Sequence, residues 1–499
     1  MDLLLKNGLI LEGENFKEKN KDILIKGNKI ISIEDNIKNK NAKTIDLKDK
    51  LVIPGLVNAH LHSDENMFKG ALDNLPLELW MLYSYPNAKY GPFSPRLIYL
   101  RTLLGAIEMV KNGVTHAQDD VSEFPKPTMD GMDAVMNAYK DIGLRASVTT
   151  NLSDKDWMGK LPYISNTLPA NLKEKFKPAG TKEELFEYAK NIIDKWHDPE
   201  GRLHFVIAPS GPQRCTDEFL KMLSELSEEK ELPIHTHILE TKMQAVTGDE
   251  FYGQSIIKHL NELGVLSDKT TIIHSVWVDD EDIKIMGDKG VSVVHNPVSN
   301  LKLGSGIMPF RKLVDSGVNI AIGSDGMSSN DTQNIFEGMK FAALLHKIND
   351  PDYHKWPSSK EVFKMATLGG AKSSLTDDEL GTIEVGKKAD LAVLDLNTTA
   401  FLPQNDILKH LVYCENGSSV ETVIVDGEII VRDGEILTID EEAILAEFKK
   451  MVPKFKEQYQ KTVELSDELF PYVDDIYWKC VKQDVGVNRW AGNENKWLE

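Results

Sequence analysis

Residues 51–62 read LVIPGLVNAHLH. Pro54 and Gly55 are a turn signal, and the apolar run behind them has the length and composition of a strand buried on both faces. It ends in His60-Leu61-His62. Side chains alternate along a strand, so His60 and His62 point the same way, roughly 7 Å apart, and can share one metal ion. The pair alone is weak evidence, because the 13 histidines of this chain, placed at random, would produce an H-x-H about one time in three. Its meaning depends on what other strand ends carry.

Short apolar strands alternate with amphipathic helices from Leu56 to about Leu345, the pattern of βα units around a parallel sheet. The expected strands are 56–62, 114–119, 145–150, 204–210, 233–239, 271–276, 291–296 and 320–325. Between them lie helical stretches with apolar spacing of three and four, such as 97–110 and 185–196. Eight such units predict an α/β fold, a closed (β/α)8 TIM barrel over 55–380, whose site is built at the C-terminal strand ends where His60 and His62 fall. Residues 1–54 and 381–437 are strand-like, with matching Gly, Asn and Asp turns, and are expected to pair into one composite β-sandwich domain. Residues 438–499 are expected to form a helical C-terminal extension packed on the barrel. Its helical face is interrupted at Pro453, and Trp478, Trp490 and Trp497 follow. Two insertions, 63–94 with Trp80, Tyr83 and Tyr85, and 153–179 with Trp157, Tyr163 and Phe176, are candidate substrate walls.

The chain has 499 residues and a formal net charge of −20. That charge argues against a nucleic-acid or anionic-membrane surface, both of which need clustered Lys and Arg. Three cysteines without CxxC spacing exclude a disulfide framework and a thiolate zinc site. With no signal-peptide pattern and no apolar run of bilayer length, the expectation is a cytoplasmic protein without membrane or nucleic-acid partners.

Further polar residues fall at the predicted strand ends: His237 in PIHTHILET, His274 in TIIHSVWV, His295 in VSVVHNPVSN and Asp325 in IAIGSDGMSSND. Recurrence of this pattern in one barrel is not explained by packing. His60, His62, His237 and Asp325 would give three nitrogens and a carboxylate to one divalent ion with a position left open for water. Such an ion lowers the pKa of its water to about 7, and Asp325 beside it could take the proton. Glu240, three residues past His237, is placed to shuttle a proton to substrate, and His274 to polarise the nucleophile or hold the developing alkoxide. His235 reads as a supporting residue, and His295 as either a substrate contact or a loop organiser. His116, His204, His346, His354 and His410 have no evident partner.

These motifs, together with GVTHAQDD, HNPVSNLKLGSGIMP, MATLGGAK and GTIEVGKKADLAVLDL, resemble the amidohydrolase superfamily up to about Leu437. The resemblance is to its mononuclear aminohydrolase branch, which includes S-adenosylhomocysteine/methylthioadenosine deaminases, guanine and cytosine deaminases and atrazine chlorohydrolase-like enzymes. It implies the barrel and composite β domain, His60, His62, His237 and Asp325 as ligands, Glu240 as proton shuttle and His274 beside the attacking water. It also implies a homodimer. Binuclear relatives use a carboxylated lysine on strand four. Here that strand reads HFVIAPSGPQRC, so one ion is expected: zinc, with iron(II) or manganese(II) accepting the same ligands. Lys69-Gly70 replaces the Arg-Gly common in adenosine-type members, which counts against a nucleoside. The HxE and PCxxC signature of nucleic-acid base deaminases is absent.

The expected function is hydrolytic deamination of a nitrogen heterocycle of purine, pyrimidine, triazine or adenosine type, releasing ammonia. This is hydrolysis of a C–N bond other than a peptide bond. Trp80, His295, Ser329 and Asn330 are the expected substrate contacts. The alternatives are a hydrolase of the same site that displaces chloride or alkylamine or opens a cyclic amide, and, more distantly, a non-catalytic ligand-binding relative.

Overall fold

The computed structural model describes residues 2–85, 93–123, 126–155, 160–173, 180–198 and 200–492. Trp157, Phe176 and Trp497 lie outside the described residues. Five strands open the chain: β1 (Leu3–Glu12), β2 (Lys17–Lys26), β3 (Lys29–Glu34), β4 (Lys43–Asp46) and β5 (Lys50–Pro54). Eight follow in alternation with helices: β6 (Leu56–Leu61), β7 (Val114–Val121), β8 (Arg145–Thr150), β9 (Leu203–Phe205), β10 (Ile234–Ile238), β11 (Thr270–His274), β12 (Ser292–His295) and β13 (Asn319–Ile322). Four more close the strand count: β14 (Leu391–Asp395), β15 (Val420–Val425), β16 (Glu428–Arg432) and β17 (Glu435–Ile436).

The eight middle strands form two parallel four-stranded sheets, β6-β7-β8-β9 and β10-β11-β12-β13. All residues of β6, β7, β8, β10, β11 and β12 are buried, the state of strands covered on both faces. Beyond β9 the chain stays extended, and Ile207 bridges in parallel to Ile234 of β10. On the other side the Asp325 N–H donates to the His60 carbonyl at 2.9 Å and the Gly323 N–H to that of His295 at 3.1 Å. The regular part of β9 is shorter than the 204–210 expected; beyond Phe205 the pairing continues only as single bridges, Ile207 with Ile234 and Pro209 with Leu152, and Pro209 has no N–H to extend the ladder.

The sequence between strands supplies its own helix signals. Helix 95–111 starts with Ser94 capping the Leu97 N–H and Pro95 at its first position, and helix 182–196 with a Thr181–Glu184 capping box, each satisfying donors that the first turn leaves open. Gly55 joins the outer sheet to β6. A Cβ there would lie 2.0 Å from Thr115 Oγ1, so the close approach of the two layers depends on its absence.

Strands from both chain ends share one nine-stranded sheet, ordered β17-β16-β15-β14-β5-β1-β2-β3 with β4 on β1. β5 pairs with β14 through Pro54–Leu391 to Lys50–Asp395. The sheet has its own core of Leu3, Ile10, Ile23, Val52, Leu391 and Ile424. Arg145 of β8 ties it to the parallel strands, donating to both Asp390 oxygens (2.9 and 3.1 Å) and to Asp426 (3.0 Å).

The C-terminal extension corrects one expectation. Residues Glu441–Val481 form a single helix that runs through Pro453 and Pro471. Pro453 and Lys449, whose carbonyl loses its helical partner, are both exposed, so water replaces the missing bond. Among the described residues no helix is long and apolar enough to cross a membrane.

Candidate active site

At the ends of the parallel strands His60, His62, His237, His274 and Asp325 converge. Donor atoms of His60, His62 and His237 lie within 4.8 Å of one another, as do those of His60, His274 and Asp325. His60 Nε2 and His62 Nε2 each stand 3.5 Å from Asp325 Oδ1. Leu239, His274 and Asp325 adopt φ of 54°, 76° and 65°, left-handed conformations costly for such residues and typical of functional constraint. They turn the chain out of β10, β11 and β13 where the side chains must meet.

The ring nitrogens are sorted by what holds them. His62 Nδ1–H donates to the Asp120 carbonyl at 2.6 Å and His237 Nδ1–H to that of Ser210 at 2.9 Å, leaving Nε2 of each as a free ligand atom. Both ring nitrogens of His60 are buried without a hydrogen-bond partner, a costly arrangement unless an acceptor of lone pairs is supplied. Burial pulls His60 down to about 3, so it is a neutral ligand. Burial opposes protonation of His62 too, but the carboxylates of Glu65, Asp325, Asp120 and Asp64 outweigh it and push it up to about 10. The field that favours a proton there favours a divalent cation equally. The donor set fits a divalent metal ion.

Beside this cluster His274 Nε2 is 3.4 Å from Glu240 Oε2 and 3.9 Å from Asp325 Oδ2. Its Nδ1–H donates to Asn300 Oδ1 at 2.9 Å, which fixes the ring. Burial, reinforced by the charges of Asp325 and Glu78, raises the Glu240 carboxyl well above the usual range. Burial acts in the same direction on Asp325, but the approach of His60 Nε2 at 3.5 Å and the field of the surrounding His274 and His62 rings prevail and hold it well below that range. Two neighbouring carboxyls with divergent proton affinities are the arrangement that acid–base chemistry needs.

His62, His237, Glu240, His274 and Asp325 open into a cavity of about 270 Å³. The first insertion contributes Trp80, Met81 and Tyr85, the second Ser153, Lys160 and Leu161, and the C-terminal helix Leu465, Ser466 and Leu469. Of the expected substrate contacts only Trp80 is among the lining residues. His295 is fully buried, sharing a 3.2 Å contact between its Nε2 and that of His346. Ser329 Oγ–H donates to the Gly326 carbonyl and Asn330 Nδ2–H to that of Ser324. These bonds shape the turn that carries Asp325, while Asn330 Oδ1 is buried without a partner. Lys69 pairs with Glu108 at 2.7 Å on the surface and does not line the cavity.

Sequence reasoning missed Glu65, Glu78 and Arg214, which line it. Glu65 accepts from Tyr85 Oη–H and Ser328 Oγ–H, and burial raises it to about 7. Glu78 accepts from Thr241 Oγ1–H while its Oε2 is buried without a partner. Arg214 donates to Ser210 Oγ at 2.9 Å. In a sequence these read as ordinary loop charges. The only signal was their place in the segments after predicted strands.

A sequence profile of the Amidohydrolase family matches residues 51–430. The 5-methylthioadenosine/S-adenosylhomocysteine deaminase of Thermococcus kodakarensis is 37% identical over 432 residues, covering 86% of this chain and 94% of its own. The 5'-deoxyadenosine deaminase of Methanosarcina acetivorans is 33% identical over 432 residues, covering 86% and 92%. Among solved structures, atrazine chlorohydrolase from Arthrobacter aurescens complexed with zinc superposes with a TM-score of 0.82 at 26% identity, covering 90% of this chain and 100% of the other. An adenosine deaminase from Xanthomonas campestris with bound zinc gives 0.81 at 27%, covering 91% and 99%.

Proposed function

Because the chain belongs to the amidohydrolase family, hydrolases that act on C–N bonds, we propose that it hydrolytically deaminates a nitrogen heterocycle bearing an exocyclic amine, with an adenosine-type compound favoured by the names of its relatives. The observation that carries this reading is the pair Glu240 and Asp325, opposite in proton affinity and bridged by His274 beside the histidine cluster.

His60, His62, His237 and Asp325 would hold one divalent ion, zinc by preference, which supplies Lewis acidity and a water of pKa about 7. Asp325 takes a proton from the attacking water. His274, fixed by Asn300, orients that water towards the amine-bearing carbon. Glu240, kept protonated by its burial, delivers its proton to the adjacent ring nitrogen. The new C–O bond forms as the ring nitrogen is protonated. Asp325 then passes its proton to the amine, the C–N bond breaks and ammonia leaves, and the hydroxyl proton of the intermediate passes to the Glu240 carboxylate, which restores its protonated form and leaves the oxo product.

The architecture proposed around the site is a closed (β/α)8 barrel over 55–380, the composite β-sandwich of 1–54 and 381–437, and the 438–499 extension. The proposed setting is cytoplasmic, in keeping with three cysteines that form no disulfide, and the proposed assembly is a homodimer. Likeness to the atrazine chlorohydrolase structure supports one second reading, displacement of chloride or alkylamine in the same site.

Metal analysis of the purified protein followed by an ammonia-release screen over purines, pyrimidines, triazines and adenosine-type thioethers tests the reading. The expected outcome is near one equivalent of metal and ammonia release that a chelator abolishes and zinc restores. Chloride or alkylamine release without ammonia would replace it by the second reading.

A further inference from the structure

The C-terminal helix supplies part of the cavity wall, although it lies beyond residue 430, where the match to the family profile ends. Thr462, Leu465, Ser466, Leu469, Val473 and Ile476 repeat at three-to-four spacing along one face. On an α-helix this is a continuous stripe. Leu469 packs among Leu79, Leu82, Ile164, Leu168 and Met243, side chains from the segments after β6, β8 and β10. Leu465, half-buried, and Leu469 both line the cavity, as do Met81, Leu161 and Leu303.

The helix is tied to the loops it covers. Ser466 Oγ–H donates to the Leu82 carbonyl and Tyr83 Oη–H to Asp467 Oδ1 at 2.9 Å. Lys242 Nζ donates to the Val481 carbonyl at 3.0 Å, and further along Trp490 Nε1–H donates to that of Gly304 at 3.0 Å. These four bonds come from three segments, those after β6, β10 and β12, so the stripe is held as a fixed wall. A fixed apolar wall selects by volume, and an apolar group of matching size gains its burial while a larger one clashes.

We infer that Leu465 and Leu469 are specificity-determining residues, and that the wall they form receives an apolar substituent of alkyl or alkylthio type on the heterocyclic substrate and limits its length. This rests on the deaminase reading above.

The test uses the full-length, zinc-loaded protein and kcat/KM for ammonia release from adenosine, 5'-methylthioadenosine and 5'-butylthioadenosine. Leu465→Trp should lower the butylthio-to-adenosine ratio by about tenfold or more, the scale of a methylene or two in an apolar pocket. Leu465→Ala and Leu469→Ala should raise it, and they decide the matter if the tryptophan variant fails to fold. Lys461→Ala, on the exposed side of the helix, should keep the wild-type ratio. If all variants lower the three rates in common and leave the ratio unmoved, the helix is a structural clamp and the inference is overturned. Ammonia from none of the three by the wild type would instead overturn the adenosine-type substrate favoured above. The same ratio is then read from binding of the three compounds by calorimetry, and an unchanged ratio there overturns the wall as well.

Discussion

The proposed role of Glu240 separates binding the heterocycle from hydrolysing it. Its side chain is no proposed ligand, so Glu240→Gln is expected to keep its full metal content by atomic emission while kcat for ammonia release falls by about 10² to 10⁴. Retention of near-normal kcat would remove the residue from the proton path. At this scale the sequence was informative wherever a residue's type is rare at its position. A histidine or aspartate ending an apolar strand is conspicuous, and His60, His62, His237, His274 and Asp325 do converge. Ser329 and Asn330 were read as substrate contacts because polar loop residues near a site invite that reading; the Ser329 hydroxyl and the Asn330 amide N–H bond inside the Asp325 turn. Glu65 and Glu78 went unread because nothing local distinguishes a loop carboxylate that will be buried from one that will be solvated.

The turn after β13 is the element on which the site is most dependent. A Cβ at Gly326 would lie 1.8 Å from Glu65 Oε2, and Glu65 is held in place by Tyr85 and Ser328. Gly326→Ala should therefore displace the Asp325 turn, lowering stability by about 1–3 kcal/mol in urea denaturation and weakening metal retention in equilibrium dialysis. A variant with wild-type metal affinity would show that Glu65 yields without moving Asp325. Element types were legible because buried parallel strands are short, apolar and β-branched, and the helices between them carry period and caps. Limits were less so: regular β9 stops at Phe205 and gives way to single bridges at Ile207 and Pro209, and the C-terminal helix continues through Pro453 because its solvent face tolerates a lost hydrogen bond.

Across the whole molecule, buried Arg145 and Asp390 help to join the parallel strands to the nine-stranded sheet, which also share one apolar core. Removing the carboxylate in Asp390→Ala leaves Arg145 buried and short of partners between the parallel strands and the nine-stranded sheet, and should cost about 3–5 kcal/mol, seen as a lowered urea midpoint. Burial pulls His204 down to about 3 and His346 to about 4, against an unfolded value of about 6.5. Below that value the unfolded chain binds protons that the folded one refuses. Their contribution to stability is whole above about pH 6.5 and is lost as pH falls towards 4. These two residues therefore lower the urea midpoint as pH falls from 7 to 5, and the double variant His204→Gln, His346→Gln should lose less of its midpoint over that interval than the wild type, measured side by side. Long-range pairing was the least legible property, since nothing within 1–54 says that its partner strand begins at Leu391. That pairing has a consequence for biosynthesis. β5 leaves the ribosome with an open edge and keeps it until β14 arrives, so the nascent protein exposes an aggregation-prone strand through the making of every catalytic residue. The helix Glu441–Val481, made later still, completes the cavity wall, so a chain cut short between Asp325 and that helix carries every group proposed to react without the wall proposed to choose their substrate.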